Sequence, residues 1–126
     1  MSKKLAQRNY YGKALAKLAE TDPKVVVVDA DLAGSTKTSE FRKVAPERFV
    51  EVGIAEQNMI GVSAGLAASG KTVFASTFAV FASGRCWEQI RLALAYPGST
   101  SRWCPPTAVS ASAPTERRTR PWRISP

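Results

Sequence analysis

Apolar residues along this chain follow two patterns, one helical and one continuous, and the two patterns alternate. Residues 4–20 repeat apolar side chains at helical spacing, which predicts an amphipathic helix with one apolar side formed by Tyr11, Ala14, Leu15 and Leu18. Residues 25–28 are an uninterrupted run of valines, which is typical of a central strand covered on both faces. The chain therefore begins with a helix that is followed by a buried strand.

The same alternation continues to about residue 95. The pattern predicts a short helix at 39–44, a strand at 49–52, a long helix at 54–69, a strand at 71–76 and a final helix that ends near 95. Strands that alternate with helices favour a parallel sheet, because parallel neighbours need a crossover connection. We therefore predict an α/β fold with three layers, in which a largely parallel sheet is flanked by helices.

Composition and charge narrow the possible functions. The chain has 126 residues, a formal net charge of +8, two cysteines (Cys86 and Cys104) and no histidine. The cysteines lack metal-ligand spacing, so we expect neither a zinc site nor a disulfide framework. Because the sequence has no apolar run of membrane-spanning length and no signal-peptide pattern at its start, we expect a cytoplasmic protein without a membrane partner.

Residues 51–70, with the sequence EVGIAEQNMIGVSAGLAASG, are the most informative stretch of the chain. A helix from 54 would place Glu56 in its first turn, where the helix dipole favours a carboxylate. A set of small residues shares one face of that helix and would allow another backbone to approach closely: Gly61, Ala64, Gly65 and Ala68. A buried core helix accounts for the small residues, but it does not account for the glutamate.

The segment VGIAEQNMIGVSAGLAASGK resembles the pyrimidine-binding domain of transketolase-type enzymes, which depend on thiamine diphosphate. The strongest resemblance is to the C-terminal subunit of split bacterial transketolases, and it extends from about residue 4 to residue 98. It implies that Glu56 is catalytic and hydrogen-bonds the aminopyrimidine ring of the cofactor. The implied activity is two-carbon ketol transfer between sugar phosphates, as in the pentose phosphate pathway.

Polar residues after the first strand, DADLAGS at 29–35, have two interpretations. Taken alone, they are ordinary turn residues. The resemblance implies instead that Asp31 and Leu32 lie near the cofactor and a dimer interface, and that Ser35 contacts the substrate phosphate. With the resemblance, we favour a functional role for Asp31 and Ser35.

Two aromatic residues, Phe78 and Phe81, are three positions apart and can present both rings on one face. Such a pair usually belongs to the core. The resemblance implies that both rings stack against the aminopyrimidine, and we favour this cofactor-binding role. A third aromatic residue of the larger transketolases would fall near Gly84, where this chain has none.

The resemblance also implies partner chains. The diphosphate and Mg²⁺ motif of the family, a GDG followed by an asparagine, does not occur in this sequence. We therefore expect an N-terminal transketolase subunit that holds the diphosphate and Mg²⁺, a second copy across a dimer interface, and no metal ligand in this chain. Thiamine diphosphate should not bind measurably to this chain alone.

Residues 99–126 differ in character from the preceding chain. They contain five arginines and two tryptophans, with no hydrophobic period. One interpretation is a disordered basic tail that binds nucleic acid through arginine and tryptophan. The other interpretation, which we favour, is an out-of-frame segment. Suitable codons for the residues from Ser99, read one base out of step, encode LNVKVV and then a continuation that resembles the family.

The out-of-frame interpretation has consequences for the domain and its activity. It predicts a partial pyrimidine-binding domain at 1–98, a sheet incomplete at its C-terminal side, and an inactive or weakly active chain. A different enzyme of the same superfamily is an alternative, either a deoxyxylulose-phosphate synthase or the beta subunit of a 2-oxoacid dehydrogenase. The loop at 31–35 and the STFAVF segment favour transketolase over both.

Overall fold

Three parallel strands form an open sheet in the order β2-β1-β3. The computed structural model describes residues 6–95, and the strands are β1 (Val25–Asp29), β2 (Phe49–Glu51) and β3 (Thr72–Ser76). The first strand pairs with both others, with Val28 opposite Val50 on one side and Ala75 on the other. All five residues of β1 are buried, which confirms the predicted central strand.

Helices connect the strands and cover both faces of the sheet. Their bounds are α1 (Gln7–Thr21), α2 (Ala33–Thr36), α3 (Ser39–Val44), α4 (Glu56–Ala68), α5 (Ala79–Gly84) and α6 (Trp87–Gln89), which continues as a π-helical segment (Ile90–Ala95). On one face, Leu15 of α1 and Phe41 of α3 pack with Val25 and Val27. The second face carries a separate core cluster formed by Val28, Ala30, Met59, Ile60, Val73, Ala75, Cys86 and Leu94. This arrangement confirms the predicted three-layer α/β fold.

The predicted boundaries agree closely with the structure except near the two ends of the described chain. The helix predicted at 39–44 is present as α3 with the same bounds, and α4 begins at Glu56, two residues later than predicted. Helix α1 begins at Gln7, because Ala6 has an extended backbone. Ala14, predicted on the apolar side of α1, is exposed.

The final helix was predicted as continuous, and this prediction is wrong. Helix α5 ends at Gly84, and a new helix begins at Trp87. Glycine is unfavourable inside a helix, and Cys86 is fully buried in the core, so the chain turns inward between the two helices. The break leaves Arg85 beside α4, where it contacts Glu56.

The two glycines of the small-residue face of α4 are exposed, whereas Ala64 packs against a core cluster. Gly61 and Gly65 are both exposed, and a Cβ atom added at either position would meet no atom within 4 Å. The buried residues of α4 lie on another side: Glu56, Met59, Ile60 and Ser63. The predicted close approach of another backbone to this face therefore does not occur within residues 6–95.

A close backbone approach occurs instead at Gly12 in α1. A Cβ atom at this position would lie 2.5 Å from the carbonyl oxygen of Lys37 and 2.7 Å from its Cβ. Lys37 has a left-handed backbone conformation with a φ of 68°. Glycine at position 12 thus lets α1 pack directly on the turn that follows α2.

Candidate functional site

Loops from all three strands meet at the carboxyl edge of the sheet. Because the strands are parallel, the chain leaves each of them at the same edge, which is where open α/β sheets bind ligands. Every residue that the sequence nominated for the site follows one of these strands: Asp31, Leu32, Ser35, Glu56, Phe78 and Phe81. The topology therefore places all six at one edge, although they span much of the chain.

Glu56 is a buried carboxylate in the first turn of α4. Its side chain is only 2% exposed, and its Oε2 accepts a hydrogen bond of 2.8 Å from Arg85 Nη1. Within residues 6–95, Oε1 of Glu56 accepts no hydrogen bond. The exposed N–H groups of the first turn favour a negative charge at this position. Oε1 of this buried carboxylate is thus left to accept a hydrogen bond from a further donor.

Phe78 and Phe81 form a pair of nearly parallel rings. Their centroids are 5.9 Å apart, and the angle between the ring planes is 25°. Both residues are half-buried, and neither belongs to the two core clusters of the described chain. The guanidinium carbon of Arg85 lies 4.9 Å from the Phe81 centroid. Arg85 therefore connects the aromatic pair to Glu56, and sequence reasoning did not nominate it.

Asp29 organises the loop that follows β1. Its carboxylate is fully buried and accepts three hydrogen bonds, from Thr38 Oγ1 at 2.7 Å, from the Leu32 backbone N–H at 2.7 Å and from Thr36 Oγ1 at 3.1 Å. Burial raises the pKa of Asp29, and these three hydrogen bonds oppose the shift. The sequence analysis treated Asp29 only as part of a polar turn. The signal for its role was an aspartate that ends a buried strand and precedes two threonines.

Asp31 and Leu32 are held by their backbone rather than by their side chains. Asp31 is exposed and has a left-handed conformation with a φ of 59°. Its N–H donates to Glu51 Oε1 at 2.8 Å, and the same oxygen accepts the Gly53 N–H at 3.0 Å. Sequence reasoning did not nominate Glu51 either. The loops after β1 and β2 are therefore joined by one carboxylate oxygen.

Ser35 lies in α2 and is half-buried. Its N–H donates to the Leu32 carbonyl at 2.8 Å, and its hydroxyl makes no hydrogen bond within the described part of the chain. In the same range, no hydrogen bond or ring contact joins Asp31, Leu32 or Ser35 to the group formed by Glu56, Phe78, Phe81 and Arg85. The structure thus forms two neighbouring parts of a candidate site, and the predicted roles of these residues stay predictions.

The end of β3 contributes two buried hydroxyl groups. Ser76 Oγ and the Tyr11 hydroxyl are 2.8 Å apart, which ties α1 to this strand. Burial raises the pKa of Tyr11 to about 12, against the opposing effect of the Ser76 hydrogen bond. Thr77 is 1% exposed, and its Oγ1 has no hydrogen-bond partner among the residues described. Thr77 Oγ1 is thus a buried polar atom without a partner within residues 6–95, next to Phe78 in the chain.

Between residues 6 and 95, no group of three or more Cys, Asp or Glu side chains is arranged to hold a metal ion. No helix in that range has the length and apolar character needed to cross a membrane.

Comparison with known proteins adds a family relationship. The family model of the transketolase pyrimidine-binding domain matches residues 3–112. A Methanocaldococcus jannaschii protein described as a transketolase C-terminal section is 58% identical over 90 residues, which are 71% of this chain and 28% of that protein. Human transketolase is 45% identical over 91 residues, which are 71% of this chain and 14% of that protein.

A solved structure is similar as well. It is described as a split gene transketolase in an inactive beta4 tetramer, with 60% identity and a TM-score of 0.67. The match covers 74% of this chain and 31% of that one. The chain therefore spans less than a third of the length of these relatives.

Proposed function

Since this chain belongs to the family of transketolase pyrimidine-binding domains, we propose that it forms the aminopyrimidine-binding half of a thiamine-diphosphate site for two-carbon ketol transfer between sugar phosphates. Thiamine diphosphate is the cofactor of this family in general. The observation that carries the proposal is the position of Glu56, a carboxylate 2% exposed in the first turn of α4. It lies at the carboxyl edge of the sheet and is linked through Arg85 to the Phe81 ring.

The residues present fit an aminopyrimidine ring. Such a ring needs flat apolar surface for its faces and hydrogen-bonding groups for its nitrogens. Phe78 and Phe81 offer aromatic surface, and Glu56 Oε1 offers an acceptor that has no donor within residues 6–95. Thr77 Oγ1 is a buried polar atom without a partner in that range. This donor and acceptor set suits a planar ligand with polar edges better than it suits an apolar one.

Glu56 has a specific task in this proposal. When bound, thiamine diphosphate supplies the nucleophilic carbon that carries the two-carbon unit. Glu56 would share a proton with a pyrimidine ring nitrogen through Oε1, and the first turn of α4 stabilises its negative charge. Burial keeps water away from this hydrogen bond, which strengthens it in the low local dielectric. Glu56 therefore acts as a catalytic acceptor rather than as a structural charge.

The loop after β1 forms the second part of the proposed site. We assign Asp31 and Leu32 to the cofactor and subunit boundary, and Ser35 to the phosphate of the sugar substrate. The half-buried Ser35 hydroxyl has no partner within the described residues, and Asp31 is exposed in a left-handed turn. Asp29 and Glu51 fix this loop through the hydrogen bonds described above.

The proposed site needs other chains. We assign the diphosphate and Mg²⁺ to an N-terminal transketolase subunit, because the GDG motif is absent from this sequence. We also propose a second copy of this chain in the assembly. The exposed Gly61 and Gly65 of α4 support a partner, as do three large exposed apolar side chains: Ile54, Trp87 and Leu92. The relatives described as a C-terminal section and as a split gene transketolase support a divided enzyme.

Substitution of Glu56 tests the proposal in the assembled protein. The chain, with the reading frame after Gly98 restored, is mixed with the N-terminal transketolase subunit, and binding of thiamine diphosphate with Mg²⁺ is measured by calorimetry. Loss of a charged hydrogen bond should raise the Kd of Glu56→Gln by about tenfold. Ketol transfer from a ketose phosphate to an aldose phosphate should nearly disappear, because glutamine cannot share the proton.

Glu47→Gln is the matched control, since Glu47 is an exposed glutamate paired with Arg48 on the surface. It should leave both the Kd and the transfer rate unchanged. If Glu56→Gln bound the cofactor and transferred ketol units as the unchanged protein does, the proposed function would be wrong. Tight binding by this chain without a partner subunit would contradict the proposal of a divided site.

A further inference from the structure

Arg85 contacts both parts of the ring-binding group. Its Nη1 donates to Glu56 Oε2 at 2.8 Å, and its guanidinium carbon lies 4.9 Å from the Phe81 centroid. Its backbone carbonyl also accepts a hydrogen bond of 3.0 Å from Gln57 Nε2. One residue thus fixes the first turn of α4 from two directions and lies over the Phe81 ring.

Glu56 depends on Arg85 for its counter-charge. The glutamate side chain is 2% exposed, whereas that of Arg85 is 48% exposed. A carboxylate that is buried without a cation or hydrogen-bond donors is costly, and removal of the partner leaves that cost uncompensated. Within the described residues, Arg85 is the one side chain that donates to the Glu56 carboxylate. The break between α5 and α6 places it there.

We propose that Arg85 is a positioning residue for the pyrimidine site, an inference that rests on the proposed function. Arg85 holds Glu56 Oε2, supplies its counter-charge and leaves Oε1 for the ring nitrogen of the ligand. A carboxylate has two oxygens, so it can keep Arg85 and accept the ligand at the same time. The contact with Phe81 holds the guanidinium in place, because a cation over an aromatic face is attracted by the ring. Arg85 therefore acts through Glu56 and does not contact the ligand itself.

A double-mutant cycle separates this role from direct contact. In the assembly with the N-terminal subunit, the Kd of thiamine diphosphate with Mg²⁺ is measured by calorimetry for Arg85→Met, Glu56→Gln and the double variant. Loss of a charged hydrogen bond should raise the Kd of Arg85→Met by about tenfold. In the Glu56→Gln background the same substitution should change the Kd by less than about twofold, because coupled residues are not additive.

Arg42→Met is the matched control. Arg42 also lies over a phenylalanine ring, 5.3 Å from the Phe49 centroid, and it makes no hydrogen bond to Glu56. It should leave the Kd unchanged. If Arg85→Met does not assemble with the partner subunit, the Kd is measured for Arg85→Lys in its place. Lysine keeps the charge but not the planar guanidinium, so we expect the Kd to rise by about threefold. This rise should again disappear in the Glu56→Gln background.

Three results would overturn the proposal in distinct ways. A lower Kd for Arg85→Met would mean that the ligand displaces Arg85 from Glu56. If Arg85→Met raised the Kd equally with Glu56 present and with Glu56→Gln, Arg85 would contact the ligand directly. An unchanged Kd for Arg85→Met or Arg85→Lys would show that Arg85 has no positioning role. An unchanged Kd for Glu56→Gln itself would instead show that the proposed function fails, and the inference about Arg85 would fail with it.

Discussion

Glu51 Oε1 accepts a hydrogen bond of 2.8 Å from the backbone N–H of Asp31, which lies 20 residues earlier in the chain. The same oxygen accepts the Gly53 N–H at 3.0 Å. Asp31 and Gly53 both have left-handed backbones, with φ values of 59° and 71°. A single carboxylate oxygen therefore holds two tight turns at the ends of adjacent strands, and it couples the loop that carries Ser35 to the turn that leads to Glu56.

Removal of this carboxylate should loosen both turns. In Glu51→Ala, the amide protons of Asp31 and Gly53 lose their acceptor, and we expect their hydrogen exchange to become about tenfold faster. Exchange at Val27 in the central strand should not change. The measurement is amide hydrogen exchange followed by NMR. Glu47→Ala, which removes another exposed carboxylate, should leave the exchange of Asp31 and Gly53 as it was; equal exchange in the two variants would show that Glu51 does not hold the turns.

Two glycines in helices should respond in opposite ways to substitution by alanine. Gly12→Ala places a Cβ atom 2.5 Å from the Lys37 carbonyl oxygen, so the backbone must shift and we expect a lower melting temperature. Gly61→Ala meets no atom within 4 Å and should gain the helix preference of alanine, about 0.5–1 kcal/mol. Thermal unfolding followed by circular dichroism compares them. A higher melting temperature for Gly12→Ala would mean that α1 does not pack closely on the Lys37 turn.

Tyr11 should make stability fall at alkaline pH. Burial raises its pKa from the ordinary value of 10.0 to about 12, so the folded state favours the neutral phenol. Its contribution to the free energy of unfolding is therefore complete below pH 10.0 and is lost as the pH rises through about 12. Unfolding by urea, measured across this range, should show the fall. Tyr11→Phe should lack this component and should also lose about 1 kcal/mol at neutral pH, because Ser76 loses its partner.

Tyr10→Phe serves as the control for the alkaline effect. Tyr10 is adjacent to Tyr11 in α1, but it is 57% exposed. Its replacement should leave the fall in stability between pH 10 and pH 12 unchanged. If Tyr10→Phe and Tyr11→Phe had the same alkaline profile, the burial of Tyr11 would not be the cause of the fall.

Residues 99–126 lie outside the described part of the structure, and their interpretation as an out-of-frame segment stays a prediction. The coding DNA around codon 98 provides the test. We expect that insertion or deletion of one base opens a frame that encodes LNVKVV directly after Gly98. If independent copies of the gene instead read through in the printed frame, the segment is a genuine part of the protein. The alternative role in nucleic-acid binding would then be examined by its salt dependence.

The sequence predicted those parts of the fold that depend on local pattern. The valine run gave a buried central strand, and the segment at 39–44 gave α3 with the observed bounds. The predictions were weaker where tertiary contacts decide. Helix α2 depends on side-chain hydrogen bonds within its own loop, where Thr36 and Thr38 enclose Asp29. The break after Gly84 depends on more distant contacts, because Cys86 must reach the core.

The residues of the candidate site also divide into those that the sequence predicted and those that depend on tertiary contacts. Glu56, Phe78 and Phe81 were nominated through the resemblance, and the structure brings them together through Arg85. Arg85 itself was missed because its contact with Glu56 crosses 29 residues and depends on the interrupted helix. Glu51 was missed because it accepts its hydrogen bonds from backbone N–H groups, and no local pattern reveals which amides a surface carboxylate will meet.

Protein synthesis imposes an order on the pair formed by Glu56 and Arg85. The glutamate is added to the growing chain 29 residues before the arginine that neutralises it. At elongation rates of about 5–20 residues per second, the delay between them is roughly 1–6 s. During that interval, complete burial of the first turn of α4 would enclose a charge without its partner, which is unfavourable. Until the segment after α5 has left the ribosome, complete burial of Glu56 in its charged form is therefore unfavourable for the nascent chain.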